Sequence, residues 1–243
     1  MGYLLEARSP VKLWRFAEER HSRLVLALDF VDGQAVDEGS KRFLNKCFRL
    51  LDSLREYIVG VKIGFPLLLS TDTNGVRELI DVFGKELYFL SDFKIGDVPE
   101  VVNYTLKLLG DLGFDGATIH LFQGGLRRIS VKSIDLFGVL LMSHPEALLF
   151  ERNLEELINQ SSAPLIDGVV VGATRKEYLQ EVRRKLPAKT ILCPGIITQG
   201  AQPGQALKFG GDFEIVGRAI TMSPDPVSSV KMILEAERNV FER

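Results

Sequence analysis

The chain has 243 residues, 46% of them hydrophobic, and its 30 lysine and arginine residues nearly balance its 32 aspartate and glutamate residues. This length and composition suit a globular protein with a sizeable core. The net charge of −2 gives no overall basic field, so the sequence predicts neither a nucleic acid nor a membrane surface as a partner.

Cysteine content and the N-terminal segment indicate the compartment. Cys47 and Cys193 fit neither a metal-ligand spacing nor a disulfide framework. The N-terminal stretch "MGYLLEARSPVKLWRF" mixes charges into its apolar residues and therefore lacks the core of a signal peptide. No apolar run approaches the roughly 18 residues that a membrane-spanning helix needs. We therefore expect a cytoplasmic protein.

Short apolar runs recur along the chain, and each is followed by polar or glycine residues and then by a stretch with helical spacing. Because the runs are almost continuously apolar, they resemble parallel strands covered on both faces. They occupy residues 23–29, 57–64, 86–94, 116–120, 137–143, 168–172, 190–194 and 213–217. Eight such units predict a (β/α)₈ TIM barrel of the α/β class, a single domain over 1–243. A doubly wound open sheet is the alternative.

Amphipathic segments between these runs predict helices, for example over 99–113 and 175–186. A further helix over 10–20 precedes the first predicted strand, and the barrel itself runs from about 23 to 240. We expect this extra helix to cover the barrel floor, with Trp14 packing against the barrel.

Polar residues end several of the predicted strands, and the C-terminal strand ends are where such barrels carry active sites. They are Asp29, Lys62, Asp92, Lys94, His120, Ser143 and the pair Gly217–Arg218. Because side chains alternate along a strand, Asp92 and Lys94 are predicted to share one side, where Asp29 and Lys62 can join them. A structural ring of ion pairs is the alternative to an active site. His120 is predicted either to line the site or to be a hydrogen-bonded core histidine, whereas His144 and Cys193 are predicted to be structural.

Phosphate binding is indicated after the last two strands. The stretch "CPGIITQGAQPGQ" (193–205) follows the seventh strand and "VGRAI" (216–220) follows the eighth. Barrels often bind phosphate there through glycine amides, and Arg218 adds a fork of donors suited to phosphate oxygens. Gly195, Gly200 and Gly204 make the loop pliable, so it could close over a ligand as a lid.

The segments "LALD", "VKIGFPLLL", "SDFKIGDVPE", "LLMSHPE", "CPGIITQG" and "IVGRAI" occur in this order between about residues 23 and 235. In order and spacing they resemble the orotidine 5′-phosphate decarboxylase family, in its microbial and archaeal single-function form. The Asp-x-Lys-x-x-Asp motif followed by proline is the most specific mark. The resemblance implies a homodimer that converts orotidine 5′-monophosphate (OMP) to uridine 5′-monophosphate (UMP) with neither a metal nor a cofactor.

The resemblance also assigns a role to each matching residue. Lys94 would be the proton donor, in a network with Lys62 and Asp92, and Asp97 would reach across the dimer interface into the partner's site. Asp29 and Lys62 would contact the ribose hydroxyls. The remaining substrate contacts would come from Ser143 at the pyrimidine edge, Gln199 between base and phosphate, Gly217 and Arg218 at the phosphate, and Pro194 and Gly195 beside it.

Three positions depart from the family pattern. Val101 stands where the family carries a threonine that contacts the partner's ribose. Thr221 stands where the archaeal members carry a tyrosine that contacts the phosphate, and Glu146 replaces a glycine. These changes bear on substrate affinity more than on the type of reaction, because none of them belongs to the Asp-Lys array.

Other activities are possible on the same barrel. Metal-dependent keto-sugar-phosphate decarboxylases and hexulose-phosphate synthases share the Asp-x-Lys-x-x-Asp motif. In the pattern of those enzymes a glutamate near the end of the second strand binds the metal, whereas this chain has Lys62 there. A binding protein without activity would gain nothing from carboxylates clustered near an anionic ligand. A Schiff-base aldolase would need a lysine of lowered pKa, and neighbouring aspartates raise the pKa instead.

Overall fold

The computed structural model describes residues 10–29, 40–131, 133–144 and 146–241. Eight parallel strands close into a barrel in the order β1 to β8, which confirms the predicted (β/α)₈ fold. The strands are β1 Leu24–Ala27, β2 Gly60–Ile63, β3 Tyr88–Ile95, β4 Gly116–Ile119, β5 Asp135–Leu141, β6 Gly168–Val171, β7 Thr190–Pro194 and β8 Phe213–Val216. Each one overlaps a predicted apolar run.

Helices follow the strands and surround the barrel. They are α1 Val11–Arg20, α2 Ser40–Leu54, α3 Phe65–Phe83, α4 Pro99–Leu112, α5 Leu148–Arg152, α6 Leu154–Ser161, α7 Lys176–Lys185, α8 Gln205–Lys208, α9 Arg218–Thr221 and α10 Pro226–Phe241. The three helices expected near 10–20, 99–113 and 175–186 are α1, α4 and α7. None of the described helices is long and apolar enough to cross a membrane.

Two layers of apolar side chains hold the barrel together, because each strand is covered on both faces. Alternate strand residues, such as Val25, Leu90 and Phe137, fill the barrel interior. Their neighbours, such as Leu26, Phe89 and Leu136, pack outward against the helices. The polar residues beyond the C-terminal strand ends are therefore presented from a rigid, closely packed frame.

Helix α1 closes the N-terminal floor of the barrel, as predicted. The indole of Trp14 is buried, packs edge-on against Phe213 with ring centroids 5.0 Å apart, and donates a 2.9 Å hydrogen bond to the Thr190 hydroxyl. Arg20 at the end of α1 donates to the backbone carbonyls of Ile58 and Glu86 at 3.0 and 2.6 Å. Among the described residues, α1 therefore covers the end of the barrel opposite the cavity that is lined by the C-terminal strand ends.

The half-buried carboxyl of Asp135, near the floor, gives a pH-dependent prediction. Burial raises the pKa of Asp135 to about 7; the 2.7 Å hydrogen bond that Tyr88 donates opposes this rise, and the nearby carboxylates of Asp167 and Asp115 add to it. The unfolded chain ionises this group near pH 4. The folded state therefore holds an extra proton between about pH 4 and 7, so stability is lost as the pH rises through that range.

Asp135→Asn removes this titration while keeping an acceptor for the Tyr88 hydroxyl. We therefore expect the free energy of unfolding of the variant, minus that of the wild type, to increase by roughly 2 kcal/mol between pH 4 and pH 8. This value is about half of what the full pKa change would give, because solvent screens a partly exposed site. Urea unfolding at the two pH values measures this difference. A difference that does not change with pH would contradict the prediction.

Candidate active site

A cavity of about 350 Å³ opens at the C-terminal mouth of the barrel. Its lining combines the charged residues of β1 to β3 on one side with the segments after β7 and β8 on the other. The polar lining residues are Asp29, Lys62, Asp92, Lys94, Thr118, Ser143, His144, Thr198, Gln199 and Arg218, and Pro194, Gly195 and Gly217 contribute to the same wall. Ten of the eleven residues predicted to form the site therefore line one cavity, and the eleventh, Asp97, does not.

Four charged side chains form a continuous chain of ion pairs along one wall of the cavity. Lys62 Nζ lies 2.5 Å from Asp29 Oδ2 and 3.2 Å from Asp92 Oδ2, and Lys94 Nζ lies 2.8 Å from Asp92 Oδ1. The side chains of Asp29, Lys62 and Asp92 are 12–15% exposed, whereas that of Lys94 is 32% exposed. Lys94 is therefore the member of the array most accessible to a ligand.

The array controls its own protonation. Burial alone would lower the pKa of Lys62, but Asp92 and Asp29 outweigh it, so this pKa is raised. Burial alone would likewise raise the pKa of Asp92, but Lys62 and Lys94 lower it to about 2. Near neutral pH the Lys62 ammonium and the Asp92 carboxylate are therefore both charged. This raised pKa disfavours Lys62 as a Schiff-base nucleophile, which needs a neutral amine.

A break in the sheet places Lys94 in the cavity. The pairing of β3 with β4 shifts register between Ser91 and Ile95, and Lys94 has a φ of +46°, a conformation that few non-glycine residues adopt. Asp92 and Lys94 both face the cavity, as predicted, while Phe93 stacks outward on Phe65. Backbone strain of this kind is typical of functional sites.

Thr118 supports the array and was not predicted from the sequence. Its hydroxyl donates to Asp92 Oδ1 at 2.9 Å and accepts the amide N–H of Lys94 at 3.0 Å. It thereby fixes both the carboxylate and the strained backbone beside it. The available signal was its position in "GATIH", where Thr118 is the polar residue inside the strand itself.

Asp29 is positioned by the turn after β2. Its Oδ1 accepts the amide N–H of Gly64 at 2.9 Å while its Oδ2 pairs with Lys62. An added Cβ on Gly64 would lie 2.8 Å from Asp29 Oδ2, so the carboxylate occupies the space that a side chain at this position would fill. The glycine therefore permits the approach of the carboxylate to the strand end.

The opposite wall is built from the loop after β7 and the turn after β8. The loop is closed on itself by a bridge between Ile196 and Ala201 and by a 2.7 Å hydrogen bond from the Ile197 amide to the Ala201 carbonyl. Gln199 reaches back beside Gly195, where an added Cβ would lie 2.9 Å from its Oε1. Among the described residues no carboxylate forms an ion pair with Arg218, so its guanidinium lines the cavity with donors available for an anion.

Ser143 lies between the two walls. An added Cβ on Gly172 would lie 2.6 Å from the Cα of Ser143, so only a glycine there allows the β5 end to pack this closely. The Thr174 hydroxyl donates to the Ser143 carbonyl at 3.0 Å. His144, which was predicted to be structural, also lines the cavity.

Three other singled-out residues lie outside the cavity lining. His120 is half-buried and packs on Phe122 and Phe150, with centroids 4.7 and 5.5 Å away; it does not line the cavity, and its Nδ1 has no hydrogen-bond partner among the described residues, so it matches neither of its two predicted roles in full. Thr221 is buried in α9. Asp97 is exposed, and its Oδ1 accepts the Val98 amide N–H at 2.6 Å, so it does not join the array of its own chain.

Comparison with known proteins agrees with this geometry. The sequence profile of the orotidine 5′-phosphate decarboxylase / HUMPS family matches residues 22–233. The chain belongs to this family. The orotidine 5′-phosphate decarboxylase of Thermoplasma acidophilum is 32% identical over 226 residues, covering 91% of this chain and 98% of that protein.

Solved structures of the family share the barrel. The orotidine 5′-monophosphate decarboxylase of Metallosphaera sedula superposes with a TM-score of 0.76 at 30% identity, covering 90% of this chain and 99% of that one. The enzyme of Methanocaldococcus jannaschii, solved with the inhibitor BMP, gives 0.76 at 25% identity, with 88% and 98% covered. The resemblance inferred from the motifs is therefore confirmed.

The family name covers two kinds of activity, so the donor set of the site is informative. In the described part of the chain no group of three or more histidine, cysteine, aspartate or glutamate side chains could hold a metal ion. The Lys62 ammonium instead lies between the carboxylates of Asp29 and Asp92 and pairs with both, and Lys94 supplies the second positive charge. Cys193 is fully buried and burial raises the pKa of its thiol, in agreement with its prediction as a structural residue.

Proposed function

We propose that the chain is a carboxy-lyase that converts OMP to UMP and carbon dioxide in pyrimidine biosynthesis. One observation carries this proposal: the Asp29–Lys62–Asp92–Lys94 array faces Arg218 and the β7 loop across a single cavity. An anionic base that loses its carboxylate would lie against the array, and its phosphate would lie against the arginine. The names of the curated relatives support the same reaction.

Lys94 is proposed as the proton donor. When the bond from C6 to the carboxylate breaks, carbon dioxide leaves and the electron pair stays on C6, where the pyrimidine ring delocalises it poorly. An ammonium beside C6 stabilises this carbanion and then transfers a proton to it, forming the C6–H bond of UMP. Asp92 fixes the Lys94 amine through the 2.8 Å contact, and water returns a proton to Lys94 afterwards. The step needs no metal and no cofactor.

The other lining residues are proposed to hold the substrate. Asp29 and Lys62 contact the ribose hydroxyls, and Ser143 hydrogen-bonds the pyrimidine edge. Gln199 contacts both the base and the phosphate of the substrate. Phosphate binding at Gly217 and Arg218, with Pro194 and Gly195 beside them, supplies remote binding energy that orients the base on the array.

The proposed role of Asp29 gives a testable variant, Gly64→Ala. The added methyl group displaces the Asp29 carboxylate from the position that it holds between Gly64 and Lys62. We expect kcat/KM for OMP to fall by about 10- to 100-fold, as for other small displacements of positioned groups. Gly110→Ala in α4 is the matched control, since its added Cβ meets only the flexible Ser133 hydroxyl at 3.2 Å. Equal activity of both variants would contradict the role of Asp29.

Asp97 is proposed to complete the active site of a second copy in a homodimer. It is exposed at the same end of the barrel, in the segment after β3. Apolar side chains that follow β2, β3 and β4 are exposed around this end: Phe65, Leu69, Val98, Val101 and Phe122. Exposed apolar groups of this kind are typical of a protein interface. We propose that each chain forms a single domain and that two such domains pair through this face.

The test compares two substrate classes and their metal dependence. The wild type is incubated with OMP in EDTA and, separately, with a hex-3-ulose 6-phosphate in magnesium without EDTA, and the products are separated by chromatography. The proposal predicts conversion of OMP to UMP in EDTA. Turnover of the sugar phosphate, with OMP left intact, would assign the chain to the metal-dependent activity of the family instead.

A further inference from the structure

Glu214 is a charged residue in the middle of the apolar strand β8. Its neighbours Phe213 and Ile215 face the barrel interior, and Glu214 itself is directed outward and is 0% exposed. Burying a carboxyl group is costly unless hydrogen bonds compensate it. Burial accordingly raises the pKa of Glu214 to about 7, although backbone amides of Gly204, Ala206 and Leu207 oppose the rise.

Both oxygens of Glu214 bind the base of the loop after β7. Oε2 accepts the Gly204 amide N–H at 2.8 Å, and Oε1 accepts the Ala206 amide N–H at 2.9 Å. Gly204 has a φ of +78°, and a Cβ there would lie 2.8 Å from the Ala236 carbonyl, so the backbone at this point has little freedom. Glu214 therefore fixes the position at which the loop returns to the barrel.

The rest of the loop depends on this base. The bridge between Ile196 and Ala201 closes the segment and so ties the tip at 197–200 to the chain that runs on to Gly204. Thr198 and Gln199 on this tip line the same cavity as Arg218. The strand that carries Glu214 ends at Val216 and leads directly into Gly217 and Arg218. One buried side chain thus connects the two segments that build this wall of the cavity.

We propose that Glu214 is a positioning residue that holds the 195–204 loop at the correct distance from Gly217 and Arg218 and thereby favours substrates that carry a phosphate. The inference rests on the function proposed above. Glu214 touches neither the cavity nor the Asp-Lys array, so its effect is confined to the phosphate end of the substrate. A purely structural role would instead affect all substrates equally.

The test compares OMP with orotidine, which has the same base and ribose but no phosphate. In Glu214→Gln one acceptor oxygen is replaced by a donor group that cannot bind an amide N–H. We expect KM for OMP to rise about tenfold, the effect of losing one charge-assisted hydrogen bond, with kcat/KM for orotidine unchanged within about twofold. If this variant does not fold, Glu214→Asp, which keeps the charge but shortens the reach, is measured in its place.

Glu237→Gln is the matched control. Glu237 is a second buried glutamate, 2% exposed. It differs from Glu214 in that its Oε2 accepts the amide N–H of Arg23, at 3.0 Å, rather than an amide of the loop after β7. We expect this variant to treat both substrates as the wild type does. Equal losses on OMP and orotidine in the Glu214 variant, or the same selective loss in the Glu237 variant, would overturn the role of Glu214. A wild type that does not turn over OMP would overturn the proposed function first.

Discussion

Replacing Lys94 by alanine is expected to lower kcat for OMP decarboxylation by at least about 10⁴-fold, because it removes both the proton donor and the charge that stabilises the carbanion. Lys94 is the most exposed member of the array and its Nζ lies against Asp92 at the cavity wall. KM should change much less, since the proposed phosphate and ribose contacts come from other residues. A steady-state absorbance assay at saturating OMP measures the loss.

Lys107→Ala is the matched control for this variant. Lys107 lies on the exposed face of α4, where it pairs with Asp111 at 2.8 Å, and solvent-exposed pairs of this kind contribute little to stability. We expect its activity to equal that of the wild type. Full activity of the Lys94→Ala enzyme would mean that another group delivers the proton, and would leave the array as a structural clamp.

Mixing two inactive variants is expected to restore activity if Asp97 serves the site of the partner. Lys94→Ala lacks the proton donor in its own site, whereas Asp97→Ala lacks the carboxylate that it would contribute to the other site. In a mixed dimer one site carries both mutations and the other carries neither. With random exchange of subunits in a two-fold symmetric dimer, about one quarter of wild-type activity should return.

The arrangement of Asp97 in this chain underlies that expectation. It is exposed and its Oδ1 accepts the amide N–H of Val98, while the two other charges of the Asp-x-Lys-x-x-Asp motif, Asp92 and Lys94, are joined in the array. Subunit exchange is checked by native mass spectrometry before the assay. Mixed dimers that form but stay inactive would contradict a shared site and would place the function of Asp97 within its own chain.

The barrel could be predicted from the sequence because each strand has to be apolar on both faces, and this requirement leaves a visible run of residues. The chemistry of the strand ends followed from the same constraint, since Asp29, Lys62 and Asp92 each end such a run. The alternation rule placed Asp92 and Lys94 on the same side, and the structure agrees. It reaches this result through a register shift and a positive φ at Lys94, which no residue pattern specifies.

Other features depend on partners that are distant in sequence. Strand β4 ends at Ile119, so alternation applies to Thr118 but no longer to His120, which turns away to pack on Phe122. Glu214 is visible as the single charge within "FEIV", but its partners are amides ten and eight residues earlier in the chain. Sequence patterns identify such residues as unusual, whereas their contacts emerge only from the fold.

The most direct test of the account is to let the wild-type enzyme convert OMP in deuterium oxide containing EDTA and to examine the UMP by NMR. We expect UMP with one deuterium at C6, formed in equal amount to the carbon dioxide released, because the proposed proton donor Lys94 exchanges its protons with solvent and then delivers one to the carbanion. OMP that remains unchanged, or UMP that keeps only hydrogen at C6, would contradict the claim that this array decarboxylates the pyrimidine by protonating C6.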